Sequence, residues 1–144
     1  MALSIKPYIE NKERIHLIGI GGVSMNSLGE LLLSRGVPIS GSDRLRTDVT
    51  ARLEALGAKI TYEHKPENVE GASLIVRTAA VHDDNPEIVR AHELGIPVME
   101  RAEAWGHLMR DYDNVVCLAG THGKTTSTSM MTLMTMEAQM DPTV

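Results

Sequence analysis

Two glycine-bearing segments carry the chemistry legible in this chain. The first is Gly19-Ile20-Gly21-Gly22-Val23-Ser24-Met25, directly after the apolar run Ile15-His16-Leu17-Ile18. A strand that ends in glycines and runs at once into a helix leaves the first N–H groups of that helix without acceptors, and the helix dipole adds partial positive charge. A phosphate is the expected guest. Gly19 and Gly21 have dinucleotide-fingerprint spacing, whereas Ser24 stands where the third glycine belongs. The second segment, Gly120-Thr121-His122-Gly123-Lys124-Thr125-Thr126, comes after Val115-Val116-Cys117-Leu118-Ala119. Gly-Lys-Thr at the mouth of a helix is the working end of a phosphate-binding loop. Its amides wrap phosphates, Lys124 reaches the β and γ phosphates, and the Thr125 hydroxyl can ligate magnesium. Leu118 occupies the position of that motif's first glycine, so the loop is a shorter one that begins at Gly120.

Both loops need strands and helices to hold them. Residues 1–13 read as a lead-in, with Pro7 against a continuous helix. Strands are expected over 15–20, 37–40, 58–62, 72–78 and 96–99. Helices are expected over 23–34, 48–56, from Asn85-Pro86 to about Leu94, and 100–109. Glycines at 36, 57 and 95 end three of these helices. The alternation implies an α/β fold, a Rossmann-like, doubly wound parallel sheet with helices on both faces. The composition changes at Asp111-Tyr112-Asp113-Asn114. A domain over 1–111 is therefore expected, followed over 112–144 by a sixth strand at Val115–Ala119, the second loop and a methionine-rich helix to about Met140.

Ligands of such sheets bind outside the carboxyl ends of the strands. The residues immediately after the strands are thus the candidate site: Gly21, Gly22, Val23, Ser24 and Met25; Ser42 and Asp43; His64; Thr78, Ala79 and Ala80; and Arg101. Asp43 stands where a dinucleotide fold places its ribose-binding acid. A nicotinamide-dependent oxidoreductase domain fits Gly19-x-Gly21 with Asp43, but such a domain has no use for Gly123-Lys124-Thr125. His16 reads as a strand residue with a satisfied hydrogen bond, and Cys117 as a small buried hydrophobe. Met130, Met131, Met134 and Met140 read as core packing.

The balance of the 144 residues is that of an ordinary soluble domain, and a net charge of −5 argues against non-specific nucleic-acid binding. One cysteine permits no intrachain disulfide, which fits a reducing compartment. No apolar run is long enough to span a bilayer, and the N-terminus lacks a signal-peptide core, so a cytoplasmic location is expected. The six histidines show no metal-ligand spacing.

The shortened loop Gly-Thr-His-Gly-Lys-Thr-Thr resembles that of the Mur ligase family of peptidoglycan precursor synthesis. Gly19–Met25, Ser40-Gly41-Ser42-Asp43, His64-Lys65-Pro66-Glu67-Asn68, Asn85-Pro86-Glu87-Ile88-Val89 and Arg101-Ala102-Glu103 are similar to further landmarks of its alanine-adding member. The tripeptide-adding member usually has a cysteine in the first glycine loop, and none is present here. The resemblance implies that residues 1–111 bind the UDP part of UDP-N-acetylmuramate. It implies that Gly120–Thr126 bind ATP, with Lys124 catalytic and Thr125 on magnesium. It also implies a complete enzyme in which ATP phosphorylates the muramyl carboxylate and the amine of L-alanine then displaces phosphate from the acyl phosphate. By the same resemblance the chain is a fragment, inactive alone. The methionine stripe then packs a domain whose other half is absent, so its apolar face lacks cover, and this tail is expected to be mobile, to fold back on the first domain or to mediate self-association.

Overall fold

The computed structural model describes residues 3–142, and the chain divides into two compact units at Asp111/Tyr112. The first unit opens with a short helix, α1 (Lys6–Glu10), inside the lead-in that Pro7 is expected to keep from being one continuous helix. Pro7 lies in its first turn, where a missing N–H costs nothing, and Ile5 and Ile9 are buried beneath it. The remaining elements are β1 (Ile15–Ile18), α2 (Val23–Ser34), β2 (Ile39–Ser42), α3 (Asp48–Ala55), β3 (Lys59–Thr61), a 3-10 turn (Pro66–Val69), β4 (Leu74–Arg77), α4 (Pro86–Glu93), β5 (Val98–Glu100) and α5 (Arg101–Met109).

The five strands form one parallel sheet in the order β3-β2-β1-β4-β5. The chain winds outward from β1 in one direction and then in the other, so the loops after β1 and β4 diverge at the sheet's switch point. Side chains alternate across the sheet. Ile15, Leu17, Leu74 and Val76 pack on Met25, Leu28 and Leu32 of α2, with Leu53, Ala104 and Leu108 completing that face. Ile18 and Ile75 pack on Val69, Ile88 and Ala91 from the 3-10 turn and α4. Full burial of β1 explains its apolar run.

Two close approaches fix the sheet's carboxyl edge. A Cβ at Gly41 would lie 2.8 Å from the Leu17 carbonyl oxygen and 2.9 Å from Ile20 Cβ, so only glycine lets β2 pass the end of β1. Gly29 performs the matching task on α2, where an added Cβ would sit 3.3 Å from Leu17 Cδ1.

Beneath α4 lies a polar seam. Glu87 is fully buried, and both of its oxygens are filled. Oε1 accepts from His16 Nε2 at 3.2 Å and Asn68 Nδ2 at 2.7 Å; Oε2 accepts from Ser42 Oγ at 2.7 Å and His64 Nδ1 at 2.7 Å. An ionised carboxylate only accepts, so His16 carries its hydrogen on Nε2 and its Nδ1 takes the Ser40 hydroxyl at 2.9 Å. Glu87 also occupies the first turn of α4, whose cap Asn85 accepts the Glu87 N–H at 2.9 Å. Burial pushes the Glu87 carboxyl upward, but hydrogen bonds from His16, Asn68, His64 and Ser42 outweigh it and hold the group below its ordinary 4.5.

Two measurements check this packing. Gly41→Ala should lower the denaturation midpoint by the equivalent of about 1–3 kcal/mol, the usual cost of overpacking; an unchanged midpoint would refute the close approach. A depressed folded-state pKa gives stability that is present above the unfolded value and lost as pH falls through the folded one. Thermal melts should therefore fall as pH drops below 4.5, and less steeply in Glu87→Gln than in the parent chain. Equal slopes would show that Glu87 does not contribute.

Candidate functional site

The first glycine loop is held from two sides. Gly19 adopts φ +79°, and the N–H groups of Gly19 and Ile20 both donate to the Ser42 carbonyl, at 2.8 and 3.1 Å. Gly22 N–H turns back onto the Gly19 carbonyl at 3.1 Å. Gly21 N–H donates to Asp43 Oδ2 at 2.8 Å, and a Cβ at Gly21 would meet that same oxygen at 2.8 Å. Asp43 Oδ1 accepts from the N–H groups of Arg44 at 2.7 Å and Leu45 at 3.3 Å, so one carboxylate organises both the loop and the turn after β2.

Helix α2 begins on Gly22, whose carbonyl takes the Asn26 N–H at 2.8 Å. The N–H groups of Val23, Ser24 and Met25 have no acceptor among the described residues. Val23 is 86% exposed, so this turn opens to solvent. Ser24 lies within the helix and away from positive φ, so its position makes no demand for glycine; the close helix–strand contact belongs to Gly29. The Ser24 carbonyl accepts from Trp105 Nε1 at 3.3 Å, which ties α5 to the loop.

The strand order distributes the other candidates along the carboxyl edge. Asp43 and His64 come after β2 and β3 on one side of the loop; Thr78, Ala79 and Ala80 come after β4 on the other, and Arg101 opens α5 after β5. Ala79 and Ala80 are exposed, and Thr78 and Arg101 are half-buried. Two expected contact residues face inward instead. The Ser42 hydroxyl is spent on Glu87, and the Met25 side chain is in the core, so each offers a ligand its backbone alone. His64, 19% exposed at its side chain, is anchored through Nδ1 rather than loose on a loop. Glu87, Asn68 and Trp105 are the contributors that sequence reasoning misses.

The second unit carries the other loop. Gly123 caps α6 (Lys124–Glu137) in the left-handed region at φ +78°. Ser127 N–H returns to the Gly123 carbonyl at 2.9 Å, so the N–H groups of Lys124, Thr125 and Thr126 have no acceptor among the described residues. Lys124 Nζ donates to the Gly120 carbonyl at 2.6 Å and closes the loop, with Thr121, His122, Thr125 and Thr126 exposed. Three free amides, an ammonium and a hydroxyl fit a polyphosphate with its cation. Two expectations fail in this unit. Val115–Ala119 pairs with no strand among the described residues and forms none, since a ladder needs a partner. Cys117 is exposed rather than buried. Met130, Met131, Met134 and Met140 are exposed, the uncovered apolar face expected of a packing stripe without its cover. Among the described residues no helix is long and apolar enough to cross a membrane, and no His, Cys, Asp and Glu cluster could hold a metal.

Residues 14–113 match the model of the Mur ligase family, catalytic domain. The chain is 46% identical over 135 residues to a UDP-N-acetylmuramate–L-alanine ligase of Clostridium novyi, covering 94% of this chain and 30% of that protein. It is 49% identical over 138 residues to the enzyme of the same name from Clostridium botulinum, covering 95% and 30%. Among solved structures, the UDP-N-acetylmuramate-alanine ligase MurC of Thermotoga maritima superposes with a TM-score of 0.81 at 35% identity, over 88% of this chain and 30% of that one. A murein peptide ligase of Psychrobacter arcticus gives 0.82 at 26%, over 88% and 27%. The chain thus spans about 30% of the length of the curated relatives it matches. With its glycine loop, parallel sheet and second phosphate loop, it belongs to the Mur ligase family.

Proposed function

We propose that this chain is the nucleotide-sugar-binding part of a cytoplasmic, ATP-dependent ligase that joins L-alanine to UDP-N-acetylmuramate. The observation that carries this reading is the pair of helix N-termini, α2 and α6, each with unclaimed amides, in a chain aligned along nearly its whole length with ligases of that name. The diphosphate lies over Val23, Ser24 and Met25, where amides and dipole meet it without a basic side chain. Asp43 and His64 face the uridine side, and Thr78, Ala79, Ala80 and Arg101 border the remainder of the ligand.

The polyphosphate of ATP lies over Gly120–Thr126. Lys124 leaves the Gly120 carbonyl to neutralise phosphate charge, and the Thr125 hydroxyl would hold magnesium, which would supply further charge neutralisation in phosphoryl transfer. The carboxylate to be joined to alanine is a poor electrophile until phosphorylated, which is why one protein needs both loops. Alanine is favoured over a tripeptide as acceptor because relatives at 46–49% identity bear the alanine-ligase name, whereas the murein peptide ligase stands at 26%. The nicotinamide alternative leaves the second loop without a task. The chain binds its nucleotides without turning them over, since about 70% of its relatives' length lies outside it.

Calorimetry checks this directly. UDP-N-acetylmuramate should bind one-to-one and NAD should not bind. Gly21→Ala should weaken the UDP-sugar at least about tenfold, or 1.4 kcal/mol, by forcing Asp43 off the loop. Tighter binding of NAD than of the UDP-sugar would overturn the assignment, as would alanine-dependent ATP hydrolysis by this chain the inactivity.

A further inference from the structure

The two histidines on the Glu87 carboxylate differ in one respect. The His16 side chain is 1% exposed and both its nitrogens are engaged, by Ser40 and Glu87. The His64 side chain is 19% exposed, and only its Nδ1 is engaged, by Glu87 at 2.7 Å with Ser42 Oγ 3.2 Å away. His64 Nε2 has no partner among the described residues, and it is not among the buried polar atoms that lack one, so it reaches solvent. His64 lies three residues beyond β3, and Ser42, which shares its carboxylate oxygen, immediately precedes Asp43.

We propose that Glu87 is a positioning residue for the nucleotide: it fixes the hydrogen of His64 on Nδ1 and presents Nε2 as an acceptor for an O–H or N–H of the nucleoside. This rests on reading the carboxyl edge as the UDP-sugar site. An ionised carboxylate accepts and cannot donate, so the nitrogen facing it must carry hydrogen. An uncharged imidazole then has only a lone pair left on the other nitrogen. Phosphates at neutral pH offer that lone pair nothing, whereas ribose hydroxyls and the uracil N–H do. Ser42 and Asn68 serve the same end, since their hydrogen bonds to Glu87 stop the carboxylate from turning away. Second partners orient metal-binding histidines in the same way, and here the oriented histidine serves a nucleoside.

Long-range proton–nitrogen spectra of the labelled chain at pH 8, assigned with His64→Ala, test this. Hydrogen should be on Nδ1 in His64 and on Nε2 in His16, opposite tautomers on one carboxylate. Adding UDP should shift the His64 Nε2 resonance as an accepted hydrogen bond forms, with Nδ1 still protonated. Glu87→Gln should move the His64 hydrogen to Nε2 and weaken UDP at least about tenfold, yet cost less than about twofold more in the His64→Ala background. Hydrogen on His64 Nε2 in the parent chain overturns the proposal. So does protonation of Nε2 on binding, or an equal loss from Glu87→Gln in both backgrounds, the mark of a purely structural role. If Glu87→Gln does not fold, the parent chain's tautomer and its response to UDP decide. If UDP does not bind the parent chain, the site assignment fails, while the tautomer still reports on Glu87.

Discussion

A carboxylate removed from water must be given donors, and the donors of Glu87 come from four separate segments. His16 lies on β1, Ser42 on β2, His64 beyond β3 and Asn68 in the 3-10 turn, all converging on the first turn of α4. Desolvating an ion costs several kcal/mol unless such bonds replace its hydration, so the segments cannot drift independently. The helix dipole of α4 favours the same charge. On the opposite face α2 and α3 pack through leucines and Gly29, which constrain distance but not direction. Hydrogen bonds do constrain direction. The carboxyl edge therefore stands on a directional floor on one face and a close-packed floor on the other.

The two glycine loops are built alike around side chains of opposite charge. Both end on a helix whose first amides are free, and both contain a glycine at positive φ. In the first, the side chain inside the loop is an anion: Asp43 already occupies the Gly21 amide. In the second it is a cation, Lys124, resting on a carbonyl. A loop braced by a neighbouring carboxylate suits a ligand with hydroxyls beside its phosphates. A loop that carries an ammonium suits a chain of phosphates.

Much of this could be read in advance because punctuation is local. Glycines and prolines mark the ends of α2, α3 and α4, and the alternation of elements fixes a parallel sheet. Pro7 does not announce α1, because proline is excluded from a helix only beyond its first turn, and α1 places it within that turn. Val115–Ala119 has the composition of a strand, but composition does not supply a neighbour to pair with. Ser24 breaks a glycine pattern in the sequence and breaks nothing in the fold, because the backbone there is helical. Glu87 is the largest omission. Asn85-Pro86 marks a helix start and says nothing of the side chain that follows, and only the folded chain reveals the donors gathered around it.

The hydrogen bond from Trp105 to the Ser24 carbonyl has an optical consequence. The chain contains one tryptophan, and its indole is attached to the glycine loop itself. Its emission therefore reports on the surroundings of this one ring, the loop's first helical turn among them, without a label and without interference from a second indole. The same bond couples α5, which begins at Arg101 beyond the far edge strand, to the central strand's loop. Light absorbed at one ring thus samples both α5 and the first turn of α2 at once.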